Sequence, residues 1–66
     1  MEVTINGEPC VVPDGLNVTG LLKVLGIEGE GVAVEVDRTI VRRAAWDERV
    51  LAPGAKLEIV HFVGGG

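Results

Sequence analysis

The sequence holds few of the side chains that do chemistry. It has one cysteine, one histidine and no tyrosine, and aromatic residues fill only 3% of its 66 positions. A lone cysteine excludes an internal disulfide, and Cys10 has no Cys or His neighbour at metal-ligand spacing. That usage fits a reducing compartment. His61 stands alone, so no catalytic triad or metal cluster can be assembled around imidazoles. No apolar run approaches the ~20 residues of a membrane-spanning helix, and no basic stretch followed by an apolar one opens the chain. The formal net charge of −4 has the wrong sign for a nucleic-acid footprint. An acidic surface instead favours partners with basic docking sites. These absences leave a small, soluble, cytoplasmic domain that binds neither membrane nor nucleic acid.

What is present is aliphatic. Hydrophobic residues make up 47% of the chain, mostly Val, Leu, Ile and Ala. A chain this short buries only about 60% of its extended surface. One core of this size supplies no more than roughly 3–5 kcal/mol, so its patterning must be consistent.

The pattern reads as a β-hairpin followed by a helix and three more strands. "EVTIN" alternates, with Val3 and Ile5 on one face and Glu2 and Thr4 on the other. Asn6-Gly7 is the pair that favours a two-residue hairpin turn, and "PCVV" returns with Pro9 near its start, where a missing N–H is tolerated. After the Pro13-Asp14-Gly15 turn the period changes. Asn17 is positioned as an N-cap, and Val18, Leu21, Leu22 and Leu25 form one helical stripe that Gly26 terminates. Gly20 inside this helix is expected to mark a close helix–sheet approach. Two to three turns are too short to persist alone, so the helix must pack on a sheet.

"VAVEVD" places Val32, Val34 and Val36 on one face, and Ile40-Val41 makes a short strand behind it. "RRAAWDERV" predicts a turn or 3₁₀ segment, with Trp46 over one end of the core. After the "APG" turn, "AKLEIVHFV" is the last strand, with Leu57 and Ile59 pointing one way and Glu58 and Val60 the other. The order β-β-α-β-β-β predicts an α+β fold, a mixed sheet packed on one helix. This is the β-grasp arrangement, with the first and last strands side by side and parallel. The domain is expected to span residues 1–63, followed by a flexible glycine tail at 64–66.

No catalytic or metal-binding constellation emerges. Cys10 reads as a small packed residue or, alternatively, as a reactive thiol. His61 reads as a partly buried strand residue. Asp14, Asp37, Asp47 and Glu48 fall in turns or caps and read as solvated charges. Arg42 and Arg43 read as surface ion-pair formers, with an anion or partner site as the alternative. The glycine-containing stretches lack the Lys-Ser/Thr of a phosphate loop.

The last strand runs directly into Gly64, Gly65 and Gly66. From Val63 onward, four residues reach about 13 Å. Such a segment can thread into another protein's active site, where a Cβ would collide with the walls and bare backbone approaches a reacting phosphate closely. The useful group there is the Gly66 carboxylate. It is a poor electrophile until activated, for instance as a mixed anhydride with AMP.

At this level of detail the chain resembles the ThiS family, the bacterial sulfur carriers of thiamine biosynthesis. The resemblance is carried by "INGEP", "PDG", "NVTGLLKVLG" and above all "VAVEVDRTIVRR", the "PG" turn before the last strand and the glycine terminus, and so covers essentially all of the chain. It departs at Arg42, where many relatives have proline, and at Asn17, where a threonine cap is frequent. The resemblance implies a ubiquitin-like β-grasp fold and a protein that is a co-substrate rather than an enzyme. It further implies that an adenylyltransferase of the ubiquitin-activating type uses ATP to activate Gly66. A persulfide donor such as a cysteine desulfurase then converts it to a thiocarboxylate, and thiazole synthase accepts the sulfur. No cofactor would be bound by the chain itself. Gly64 and Gly65 would thread the partner's site, and Val60, Phe62 and Val63 would contribute to docking, although incidental exposure also explains isolated surface hydrophobics. Rival readings are the small subunit of molybdopterin synthase, another thiocarboxylate carrier, a ubiquitin-like modifier, and a plain β-grasp binding module.

Overall fold

The computed structural model describes residues 1–62. Strand β1 spans Glu2–Ile5 and β2 spans Glu8–Val11, joined by Asn6 (φ 50°) and Gly7 (φ 83°) in the mirror-image turn that an Asn-Gly pair favours. Helix α1 follows at Val18–Val24, then β3 (Val32–Val36), β4 (Thr39–Val41), a 3₁₀ turn (Arg43–Ala45) and β5 (Lys56–His61). The five strands form one sheet in the order β2-β1-β5-β3-β4. All neighbours are antiparallel except the central pair, β1 and β5, which run parallel. The arrangement is the β-grasp that the element order predicts, with the last strand at the centre of the sheet. Pro9 lies on β2, an edge strand, where its missing N–H breaks no central ladder.

Helix α1 covers one face of the sheet. Val18, Leu21 and Leu22 are buried together with Val3, Val34, Val36, Leu57 and Ile59. Both ends of the helix are chemically closed. At the start, the Gly20 N–H donates to Asn17 Oδ1 at 2.7 Å, while the N–H groups of Val18 and Thr19 reach the carbonyls of Arg49 and Trp46. At the end, the Gly26 N–H bonds the Lys23 carbonyl and the Ile27 N–H bonds that of Leu22, the paired pattern of a Schellman stop. Gly20 differs from expectation in what it approaches. A Cβ there would lie 2.9 Å from Leu16 Cδ2 and 3.1 Å from Asn17 Oδ1, so the crowding comes from the capping residues and not from the sheet.

The segment from the 3₁₀ turn to Leu51 closes one end of the core. Trp46 is buried, and its indole N–H donates to the Val41 carbonyl at 2.9 Å. Leu51 is buried beside it, and its N–H reaches the Leu16 carbonyl. Leu21 is fully enclosed. Leu21→Ala therefore lowers unfolding free energy by about 2–5 kcal/mol, measured by urea denaturation.

The Met1 ammonium donates to the Val12 carbonyl at 2.6 Å and pairs with Asp14 at 2.8 Å. It holds the Asp14 carboxyl below its usual range, first by hydrogen bonding and then by charge. A depressed carboxylate stabilises the fold above its unfolded value near 3.8, and that contribution is lost as pH falls through the folded value. Asp14 is exposed, which makes the effect small. Asp14→Asn lowers the thermal midpoint slightly at neutral pH, and the difference from the unsubstituted protein vanishes on acidification.

Candidate functional site

Strand β5 is held from both sides. On one side it pairs with β3 over five positions, from Val36↔Leu57 to Val32↔His61. On the other side the parallel ladder with β1 covers only Thr4↔Lys56 and Ile5↔Leu57. Beyond it the side chain of Asn6 takes over. Its Oδ1 accepts from the Ile59 N–H at 2.8 Å and its Nδ2 donates to the Ile59 carbonyl at 3.1 Å. A side-chain amide thus continues the ladder where the β1 backbone has turned away.

This geometry holds β5 on both sides, and Phe62, the last described residue, follows it with its N–H bonded to the Gly31 carbonyl. Leu57 and Ile59 point into the core, and Val60 and Phe62 are 50% and 63% exposed. Val60 lies opposite Ala33, on the face away from the helix. Ile40, 71% exposed, lies opposite Glu35, which in turn lies opposite Glu58. The open face at this end of the sheet therefore combines Val60, Phe62 and Ile40 with the carboxylates of Glu35 and Glu58. Ile40 was not recognised in the sequence as part of this face. The signal was available: in a strand carrying Ile40-Val41, alternation forces one of the two outward.

Val60 and Phe62 are thus brought together at the exit of β5. Val63, Gly64, Gly65 and Gly66 lie outside the described residues. Cys10 is half-buried and packs against the core cluster, matching the packed-residue reading. His61 is exposed, contrary to the partly buried reading. It shares the inward parity of Leu57 and Ile59 but opens onto a groove lined by the loop residues Gly26, Ile27, Glu28 and Glu30. Among the described residues Arg42 and Arg43 make no ion pair, and the Arg43 guanidinium instead lies 5.9 Å from the centroid of the Trp46 ring. Among the same residues no group of three His, Cys, Asp or Glu side chains could hold a metal ion, and no polar or charged residue is buried. An open groove of about 460 Å³ on the helix side is lined by Leu22, Lys23, Ile27, Arg43, Trp46 and Asp47. Its mixed charges define no ligand. No helix among the described residues is long and apolar enough to cross a membrane.

Comparison with known proteins places this geometry in context. The ThiS family model matches residues 2–66. The crystal structure of a thiamine biosynthesis protein (ThiS) from Geobacter metallireducens superposes with a TM-score of 0.87 at 38% identity, with all of both chains covered. Two proteins named thiazole synthase are also similar over the whole of this chain, at 41% identity in Magnetococcus marinus and 39% in Paramagnetospirillum magneticum. The chain spans about a fifth of the length of these curated relatives, 20% in each case.

The Asn6 bridge generates a stability prediction. In Asn6→Asp the Nδ2 donor becomes an acceptor facing the Ile59 carbonyl. Unfolding free energy falls by about 1–3 kcal/mol in urea titration, with the hairpin turn itself preserved.

Proposed function

The chain belongs to the ThiS family, and from that premise we propose that it is a sulfur carrier whose Gly66 carboxylate is activated and converted to a thiocarboxylate that supplies thiazole formation in thiamine biosynthesis. The single observation that carries the reading is the family match running through the glycines to residue 66. One further observation supports it. The thiazole synthases of Magnetococcus marinus and Paramagnetospirillum magneticum contain a segment like this chain in one polypeptide, which favours thiazole synthase as the sulfur-accepting partner. In this reading the chemistry falls to the partners.

In this reading the division of labour follows from the physical chemistry. A carboxylate does not react with sulfur nucleophiles until its oxygen is made a leaving group. An adenylyltransferase of the ubiquitin-activating type supplies that from ATP, releasing pyrophosphate and forming the Gly66 acyl-adenylate. Attack by the terminal sulfur of a persulfide, for which a cysteine desulfurase is the expected source, expels AMP and leaves an acyl disulfide. A second thiol then attacks the donor sulfur, forming a disulfide with it and releasing the Gly66 thiocarboxylate. The reactions belong in the cytoplasm, where ATP is available. The chain contributes position: Gly64 and Gly65 present no Cβ to a narrow channel, and β5, paired on both sides, holds the base of the segment. Val60, Phe62 and Val63 form the docking contact beside the exit. Among the described residues Val60 shares its sheet face with the carboxylates of Glu35 and Glu58, which suits a partner surface with a basic rim.

The test is intact-protein mass spectrometry after incubation with ATP, an activating enzyme and a sulfur source. The expected result is replacement of one oxygen by sulfur, located at Gly66. Gly66→Val is expected to lower the rate of loading by about 10²-fold or more while leaving the thermal midpoint unchanged. Normal loading of Gly66→Val would sink the mechanism. Stable lysine adducts would point to a ubiquitin-like modifier instead, and no modification to a plain binding module.

A further inference from the structure

The loop between α1 and β3, residues 27–31, is pinned at three points. The Ile27 N–H bonds the Leu22 carbonyl at 2.9 Å. At Gly29 a Cβ would lie 2.9 Å from Trp46 Cζ3, so the loop backbone lies against the buried indole. At Gly31 the carbonyl accepts from the Phe62 N–H at 2.6 Å, one residue beyond the last β3–β5 pair, Val32↔His61. Gly31 has φ +70°, and a Cβ there would come within 2.9 Å of the Phe62 carbonyl oxygen. Both facts exclude a side chain. The backbone dihedral disfavours any L-residue, and the obstructing atom is backbone that cannot rotate away. Cys10, the helix-side groove and the exposed arginines show no comparable convergence.

We propose that Gly31 is a positioning residue for the activation reaction, clamping Phe62 so that the terminal segment leaves the sheet at one fixed point. The inference rests on the carrier reading and deepens it. With the clamp closed, the segment beyond the anchor is residues 63–66. With it open, the last pairing retreats to Val32↔His61, one residue and about 3.3–3.6 Å further along the chain from Gly66. A displacement of that size at the reacting carboxylate matters, because about 1 Å of misplacement is enough for a roughly 10²-fold loss. The part of the docking face carried by Val60, which lies within β5 upstream of the clamp, would be kept, while the Phe62 contact would move with the clamp.

Gly31→Ala, Phe62→Ala and Phe62→Pro separate the clamp from the docking contact. Both Phe62 variants lose the ring, but only Phe62→Pro also loses the N–H that Gly31 accepts. Amide exchange reads the clamp without any partner. In Gly31→Ala the Phe62 amide should exchange at least about tenfold faster, while the Ile59 amide held by Asn6 is unchanged. Pyrophosphate release with ATP and the activating enzyme reads the reaction. Gly31→Ala should lower kcat by about 10- to 100-fold, a larger change than in KM, and Phe62→Pro should show a similar kcat loss relative to Phe62→Ala. Thermal midpoints verify that each variant is folded at the assay temperature. Unchanged Phe62 exchange in Gly31→Ala, unchanged kcat, or equal kcat for the two Phe62 variants would each overturn the proposal. Failure of the unsubstituted protein to release pyrophosphate would overturn the carrier reading and the proposal with it, whatever the exchange rates.

Discussion

The parallel pairing of β1 with β5 is the constraint on which the rest of this small protein depends. It joins the two ends of the chain, so the whole intervening sequence must be arranged around it. Parallel neighbours cannot be joined by a tight turn; they need a crossover, and α1 lies in the connection that crosses the sheet. The direct ladder is only two residue pairs long. Its shortness explains why β5 leans on five pairs with β3 and on the amide of Asn6, which replaces a third rung. A strand supported on both sides at the sheet centre is a stiff base for whatever follows it in sequence.

The core meets the size limit with shape and not with aromatic bulk. Aliphatic side chains from the sheet and the helix interlock, and Trp46 seals one end. The segment around Trp46 has a second task. Carbonyls of Trp46 and Arg49 satisfy helix N–H groups that would otherwise be orphaned, and the Thr19 hydroxyl bonds the Asp47 carboxylate. A seven-residue helix gains little from its own hydrogen-bond ladder, so these tertiary partners hold its first turn.

The two faces of the sheet differ in what they are committed to. One face is committed to the helix and to burial. The other is free at the β5 end, where Val60, Phe62 and Ile40 are exposed without weakening the core. Under the carrier reading, recognition uses this free face and reaction uses only backbone beyond it. Such a design needs no perturbed side-chain pKa and no metal, because the reactive atoms belong to the chain terminus and the activating groups to the partner.

Much of this was legible in the sequence because it is encoded locally. The period-two alternation of Val3 and Ile5, and of Leu57 and Ile59, identified the buried faces. Asn6-Gly7 identified the hairpin, while Asn17 and Gly26 bounded the helix. Each signal depends on residues a few positions apart, whose geometry is set by backbone dihedrals and side-chain periodicity. The family itself was legible too, in motifs such as "VAVEVDRTIVRR" and the glycine terminus. What only the tertiary structure decided involves partners far apart in the chain. Asn6 bonds Ile59 53 positions away, Ile40 joins Val60 on one face, Gly31 meets Phe62, and His61 is exposed in a groove beside the loop that follows the helix. Periodicity tells a residue which way to face, but what it faces depends on where distant strands are laid down.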